Sequence, residues 1–151
     1  MANTLTKLDI HLTFHIKHNG PTLRHNDIPR IHEYIGGIVR SMGGSAIAIG
    51  GVNDHVHILL TLPKTLSMSE MVKTIKARSS TWIKTIDPAY SHFAWQEGYG
   101  AFSVSPSLIE PTTKYIRNQE EHHRVHTFKE EYVKILQGYG ITYDERYVFD
   151  D

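Results

Sequence analysis

Residues 55–62, His-Val-His-Ile-Leu-Leu-Thr-Leu, constrain the fold of this chain more than any other segment. In a β-strand, residues two apart point to the same face, so His55 and His57 would leave the sheet together. Residues 56, 58, 60 and 62 are all apolar and would enter a core on the opposite face. The segment therefore predicts a strand that is buried on one face and carries two imidazoles on the other.

A second segment with a period of two predicts another half-buried strand. Ile10, Leu12, Phe14 and Ile16 alternate there with polar residues. Two further strands are predicted at 45–50 and 92–104. The predicted helices run from Asn26 or Asp27 to Gly43, from Ser67 to Asp87, from about 107 to about 123, and over 128–137. The helix from about 107 would begin with a Ser107–Glu110 capping box. The order βαββαβ followed by two helices predicts an α+β fold, a ferredoxin-like or RRM-like antiparallel sheet with additional C-terminal helices.

The length of 151 residues predicts one domain over 1–151, with its core at about 8–140 and an acidic tail at 144–151. A hydrophobic content of 40% and a charged content of 21% are typical of a soluble globular protein. No apolar run approaches the roughly 20 residues that span a bilayer, and the N-terminus lacks the apolar core of a signal peptide. We therefore expect a cytoplasmic protein without a membrane partner. The absence of cysteine leaves His, carboxylate, amide and water as metal ligands.

The formal net charge is zero, which argues against a broad, non-specific binder of polyanions. The segment 64–84 is nevertheless basic, since it holds five Lys and Arg residues against one Glu. Lys73, Lys76 and Arg78 in this segment are candidate contacts to DNA phosphates. An ordinary solvated helix face is the alternative interpretation.

His55 and His57 are candidate metal ligands because two neutral imidazoles on one face can bind one divalent ion. A third protein ligand would complete the site and leave positions open for substrate oxygens. Since metal binding needs neutral imidazoles, activity should fall below a pH of roughly 6.5. The alternative is a pair of histidines on a solvated strand face.

Tyr115 and Gln119 are four residues apart and would share one face of the predicted third helix. If that face lies against the strand with the histidines, the Gln119 carbonyl is a hard ligand suited to Mg²⁺ or Mn²⁺. The Tyr115 phenol would then reach a phosphate at the same metal. A phenol with a pKa near 10 is a weak nucleophile, so it would need a metal to raise the electrophilicity of phosphorus. The alternative is an ordinary Tyr and Gln on a partly buried helix.

Residues near these two motifs supply further candidates. His122 and His123 follow Gln119 and could act as a fourth ligand or as phosphate contacts, or they could simply form a polar helix end. Asn118 is a candidate DNA contact. Trp95 could stack on a base, with core packing as the alternative.

Three segments of the chain, 53–59, 95–104 and 115–123, resemble the single-tyrosine HUH transposases of the IS200-like family. These are small enzymes of insertion sequences that move as single-stranded DNA, and the REP-associated tyrosine transposases are relatives. The resemblance covers about residues 8–140. It implies a ferredoxin-like fold and Mg²⁺- or Mn²⁺-dependent cleavage and rejoining of single-stranded DNA at hairpin-marked element ends.

The resemblance also implies roles for individual residues. His55, His57 and Gln119 would be the metal ligands, and Tyr115 the nucleophile that forms a 5′-phosphotyrosine and frees a 3′-OH. Members of the family act as homodimers in which the tyrosine helix of one subunit completes the site of the other. The protein would then work in the cytoplasm of a prokaryotic cell, at the nucleoid when bound.

Two alternatives to a transposase stay open at this point. An endonuclease of the same class could act on repeated palindromes of the host. A non-catalytic, RRM-like nucleic-acid binder would instead expose aromatic residues on its sheet and need no metal.

Overall fold

The computed structural model describes residues 2–149 and places four strands of this range in one antiparallel sheet. The strands are β1 (Leu8–His15), β2 (Ser45–Gly51), β3 (His55–Leu62) and β4 (Gly100–Ser103), in the sheet order β2-β3-β1-β4. The helices are α1 (Ile28–Ser41), α2 (Met68–Ile86), α3 (Ile109–Arg117), α4 (Gln119–His122) and α5 (Phe128–Gly138). The predicted α+β fold, with the order βαββαβ followed by further helices, is confirmed.

The face of the sheet that packs against α1 and α2 is apolar. Leu12 and Phe14 of β1 and Ile58 and Leu60 of β3 are fully buried there, in the main core. A shift of one residue in either strand would turn this apolar set to the other face, so burial of these side chains fixes the register.

The opposite face carries the histidines and is covered by the helices that follow β4. β1 pairs with β3 so that Thr13 lies opposite His57. From α3, Ile116 packs on Leu59 in a small apolar cluster. From α5, three residues pack with Phe102 of β4 in another small cluster, namely Phe128, Tyr132 and Leu136.

Two glycines let these covering helices approach the sheet closely. A Cβ atom on Gly50 of β2 would lie 1.9 Å from the carbonyl oxygen of Ile116 in α3. A Cβ atom on Gly100 of β4 would lie 2.7 Å from the Tyr132 hydroxyl in α5. Both helices are therefore seated at positions where a strand has no side chain.

Several predicted helix boundaries are confirmed and others are wrong. Ser67 caps α2 by accepting a hydrogen bond from the Glu70 amide. Asp27 stands at the N-cap of α1, but its carboxylate accepts no bond from a backbone amide of the helix and instead pairs with the side chains of Arg24 and Arg30. The Ser107–Glu110 capping box is not formed, because a 3₁₀ turn precedes α3 and Ser107 pairs with a neighbouring serine hydroxyl.

The predicted strand at 92–104 is much shorter in the structure, where β4 covers only Gly100–Ser103. The residues before β4 are irregular and meet the sheet through an isolated bridge between Ile16 and Trp95. The predicted helix at 107–123 is also divided, since α3 ends at Arg117 and α4 begins at Gln119. Among the residues that the structure describes, no helix is long and apolar enough to cross a membrane.

Candidate active site

The two histidines of β3 lie at the centre of the covered face. His55 and His57 are both fully buried. Their Nε2 atoms point to the same place, since both lie near one oxygen of Glu131 in α5, at 3.4 Å for His55 and 2.8 Å for His57. The period of two in β3 thus brings two imidazoles to one point, as predicted from the sequence.

Tyr115 and Gln119 reach the same point from α3 and α4. The Tyr115 hydroxyl donates a hydrogen bond to Glu131 Oε2. Gln119 Oε1 accepts from His55 Nε2 at 2.9 Å, and Gln119 Nε2 donates to Glu131 Oε2 at 3.0 Å. All four sequence-predicted residues of the candidate site are therefore brought together within one chain.

Each histidine of the pair is held by a second partner at its other ring nitrogen. His55 Nδ1 lies 2.7 Å from the Asp54 carboxylate, and His57 Nδ1 lies 2.7 Å from His11 Nε2. This arrangement is typical of metal-binding histidines, whose far nitrogen is fixed so that the near one points at the ion. It orients both Nε2 atoms toward the site before anything binds.

The electrostatic environment gives the two histidines different protonation behaviour. Burial alone would lower the pKa of His55, but hydrogen bonds to Asp54, Glu131 and Gln119 outweigh it and raise the pKa to about 9. Burial lowers the pKa of His57 to about 4 against the opposing attraction of Glu131. At neutral pH, His55 is therefore a cation and His57 is neutral.

Glu131 is ionised in this environment and Tyr115 is not. Burial would raise the pKa of Glu131, but hydrogen bonds from His55, His57 and Tyr115 hold it far below its usual range. Burial and the bond to Glu131 raise the pKa of Tyr115 well above its ordinary value. The phenol is thus a bound hydrogen-bond donor, and it would act as a nucleophile only if these surroundings changed.

The donor set fits a divalent metal ion. The ligand atoms of His55, His57 and Glu131 lie within 4.8 Å of one another, and the Gln119 carbonyl oxygen is close to His55. Two imidazole nitrogens with carboxylate and amide oxygens form a mixed set of ligands that divalent ions of the first transition row accept.

His122 and His123, at the end of α4, border the site. Their Nε2 atoms lie 3.3 Å from the two oxygens of Glu131, and the three residues form a second group whose ligand atoms could share an ion. Asn118, the other predicted contact of this segment, is exposed at the junction of α3 and α4.

The remaining predicted DNA contacts lie on or beside α2. Lys73 and Arg78 are exposed. The Lys76 ammonium donates to the backbone carbonyls of residues 96–98, so it holds the segment before β4 in place. Trp95 is only 7% exposed, and its indole N–H donates to Ser79. The core packing considered as the alternative for Trp95 is therefore what the structure has, and its ring offers no free face for a base.

Glu131, His11 and Asp54 were not identified from the sequence. A signal for Glu131 exists, because it follows Phe128 by three residues and precedes Tyr132, which places a carboxylate on the buried stripe of α5. A signal for His11 is its position in the polar half of the alternating β1 segment. Neither signal says that these residues meet His57, because that contact depends on strand order and on the packing of α5.

In fold, this chain resembles solved structures of transposases. It is similar in structure to a provisionally assigned transposase from Deinococcus radiodurans R1, with a TM-score of 0.61 and 22% identity over 79% of this chain and 95% of that one. It is also similar to a REP-associated tyrosine transposase bound to a REP hairpin, with a TM-score of 0.55 and 15% identity over 77% of this chain and 68% of that one. No curated protein matches the chain.

These two structural similarities establish the fold, and a match to a protein family establishes the family. Residues 4–119 match the family described as "Transposase IS200 like". The matched range includes the histidines of β3, Tyr115 and Gln119, and it ends before α5. The chain therefore belongs to the IS200-like transposase family.

Proposed function

We propose that this transposase cleaves and rejoins single-stranded DNA at hairpin-marked ends through a covalent bond to Tyr115. The observation that carries the proposal is the convergence of the Tyr115 hydroxyl, two oriented imidazoles and the Gln119 carbonyl on one point. These are a nucleophile and a set of cation ligands, which together suit attack on a phosphodiester.

The chemistry exchanges one phosphodiester for another. The Tyr115 oxygen bonds to phosphorus as the bond between phosphorus and the 3′ oxygen breaks. The phenol loses its proton, and the departing 3′ oxygen takes up a proton. A 5′-phosphotyrosine and a free 3′-OH result. Attack of a 3′-OH on the phosphotyrosine reverses these changes and joins DNA without a nucleotide cofactor.

His55, His57 and Gln119 would hold the metal ion, with Mg²⁺ or Mn²⁺ as the proposed identity. Such an ion would neutralise the charge that develops on the phosphate. Asp54 and His11 keep the two imidazoles oriented, and burial excludes water from the reacting atoms. Lys73 and Arg78 are the exposed cations that we propose as phosphate contacts outside the site.

The homodimer remains a proposal that rests on the resemblance. Tyr115 reaches His57 of its own chain here, whereas the resemblance implies that tyrosine helices are exchanged between subunits. Mixing Tyr115→Phe protein with His57→Ala protein decides between the arrangements. A covalent adduct in the mixture requires exchange, and no adduct in the mixture means that each chain uses its own tyrosine.

A non-catalytic RRM-like binder is disfavoured by the packing of the sheet. That function needs exposed aromatic rings on the face away from α1 and α2. In this chain α3, α4 and α5 cover that face, and Phe102 of β4 is only 4% exposed.

The test of the proposal is a denaturing gel of the protein with Mg²⁺ or Mn²⁺ and end-labelled single strands from the DNA that flanks its gene. We expect a covalent protein–DNA band that Tyr115→Phe abolishes. Tyr147→Phe is the matched control, since Tyr147 is 63% exposed and outside the site. Absence of a band with wild-type protein that binds the same strands would contradict the proposal.

A further inference from the structure

We propose that His122, His123 and Glu131 form a second metal site, which takes a transition-metal ion such as Zn²⁺ beside the ion proposed for His55 and His57. This inference goes beyond the proposed function, which uses a single ion. It depends on ligand atoms from the end of α4 and from α5, so it can fail while the proposed function holds.

The first argument is that three ligand atoms converge beside the first site. His122 is the last residue of α4, and His123 follows it at the C-cap. Their Nε2 atoms lie 3.3 Å from the two different oxygens of Glu131. The ligand atoms of the three residues all lie within 4.8 Å of one another. Two imidazoles from the end of α4 and a carboxylate from α5 therefore face one point.

The second argument is that His123 is oriented as a metal ligand. Its Nδ1 atom lies 2.7 Å from the backbone carbonyl oxygen of His126. Because a carbonyl oxygen only accepts, Nδ1 carries the ring proton and Nε2 of the neutral ring carries a lone pair. Metal-binding histidines are commonly oriented by such a contact at the far nitrogen. The lone pair faces an oxygen of Glu131, and a cation between these two atoms would be attracted by both.

The third argument is that both Nε2 atoms lack a partner. They are buried, and among the residues that the structure describes neither atom has a hydrogen-bond partner. Glu131 is near both atoms without the geometry of a hydrogen bond. The side chain of His123 is only 8% exposed. Since a buried polar atom without a partner is unfavourable, a bound ion would satisfy both nitrogens.

The ligand types indicate which ion this site would take. Imidazole sites of this kind bind Zn²⁺ more tightly than Mn²⁺, and two His with one Glu is a ligand set of several zinc enzymes. A surface cavity lined by Asp54, His123 and Thr127 leaves room for water as a further ligand. Because α4 begins at Gln119, an ion here would tie the helix of a proposed first-site ligand to α5.

The experiment counts the Zn²⁺ ions that each chain retains in equilibrium dialysis at micromolar free Zn²⁺, by atomic absorption. The test variant combines His122→Ala with His123→Ala and removes both imidazoles. His126→Ala is the matched control, because it removes a nearby imidazole and keeps the backbone carbonyl that orients His123. His57→Ala removes a ligand of the first site only.

Thermal unfolding confirms that each variant is folded. If the double variant does not fold, His122→Ala alone replaces it, since the side chain of His122 is 26% exposed.

We expect about two Zn²⁺ ions per wild-type chain, one for each group of ligands. His126→Ala should retain both ions, whereas the double variant and His57→Ala should each lose one. Mn²⁺ binding by the double variant should match that of the wild type, because a site of two imidazoles and one carboxylate holds Mn²⁺ weakly.

An equal Zn²⁺ count in the double variant and the wild type would overturn the second site, as would loss of all Zn²⁺ in His57→Ala. Neither result touches the proposed function, whose test is the covalent adduct at Tyr115. A wild-type protein that binds neither Zn²⁺ nor Mn²⁺ would overturn the second site and the metal ligands of the proposed function together.

Discussion

The two faces of the sheet use the same strands for different purposes. On the α1 and α2 side, β3 contributes Ile58 to the main apolar core. On the α3 to α5 side, the adjacent residue His57 contacts only polar partners at its ring nitrogens. The first face stabilises the fold through burial of apolar side chains, and the second depends on atoms placed to within a hydrogen-bond length.

The largest effects should come from truncating neighbours on the two faces of β3. Ile58→Ala should lower the free energy of unfolding by about 2–5 kcal/mol, because it leaves a cavity in the main core. Its Mn²⁺ affinity, measured by calorimetry on the folded protein, should be unchanged. His57→Ala should instead abolish Mn²⁺ binding, because it removes a proposed ligand. Loss of Mn²⁺ binding in folded Ile58→Ala would show that the two faces are not independent.

A smaller effect should follow from His11, which contacts His57 but not the proposed ion. His11→Ala should weaken Mn²⁺ binding by about 10–100-fold, because partners behind a metal ligand orient it. His18→Ala is the control, since His18 is exposed and outside the site. An unchanged Mn²⁺ affinity would mean that strand geometry alone orients His57.

The smallest effect is the change in Mn²⁺ affinity over one pH unit. The pKa of His55 is about 9 in the metal-free protein, so an ion that binds its nitrogen at neutral pH must displace a proton. Affinity should therefore rise about tenfold per pH unit toward 9 and level off above it. His57 contributes no proton in this range, because its pKa is about 4.

Calorimetry in two buffers of different ionisation enthalpy checks the proton count, with about one proton released per ion at pH 7. Asp54→Asn removes a contact that raises the pKa of His55, so it should shift the pH dependence to lower pH. No proton release by the wild-type protein would contradict the protonation state assigned to His55.

The difference between the two faces of the sheet explains which features the sequence could predict. Alternation in β1 and β3 reports which residues face a core, so the element order and the position of His55 and His57 followed directly. The spacing of Tyr115 and Gln119 likewise reports a shared side of the chain, even though a break at Asn118 separates their helices.

The rest of the site could not be predicted because it depends on contacts between distant segments. Glu131 is 74 residues from His57, and His11 is 46 residues from it. The prediction that activity falls below a pH of roughly 6.5 used the ordinary pKa of histidine. In the structure the pKa of His55 is instead about 9, because Asp54, Glu131 and Gln119 form hydrogen bonds with its ring.

Gly50 shows that the absence of a side chain at one position can decide whether the residues of the site come together. Its missing side chain admits the Ile116 carbonyl, and Ile116 directly follows Tyr115. A chain of this family with a larger residue there would have to seat α3 elsewhere, even if every reactive residue were retained. A search for competent relatives by reactive residues alone would accept such chains, and a search that also requires room at this position would reject them.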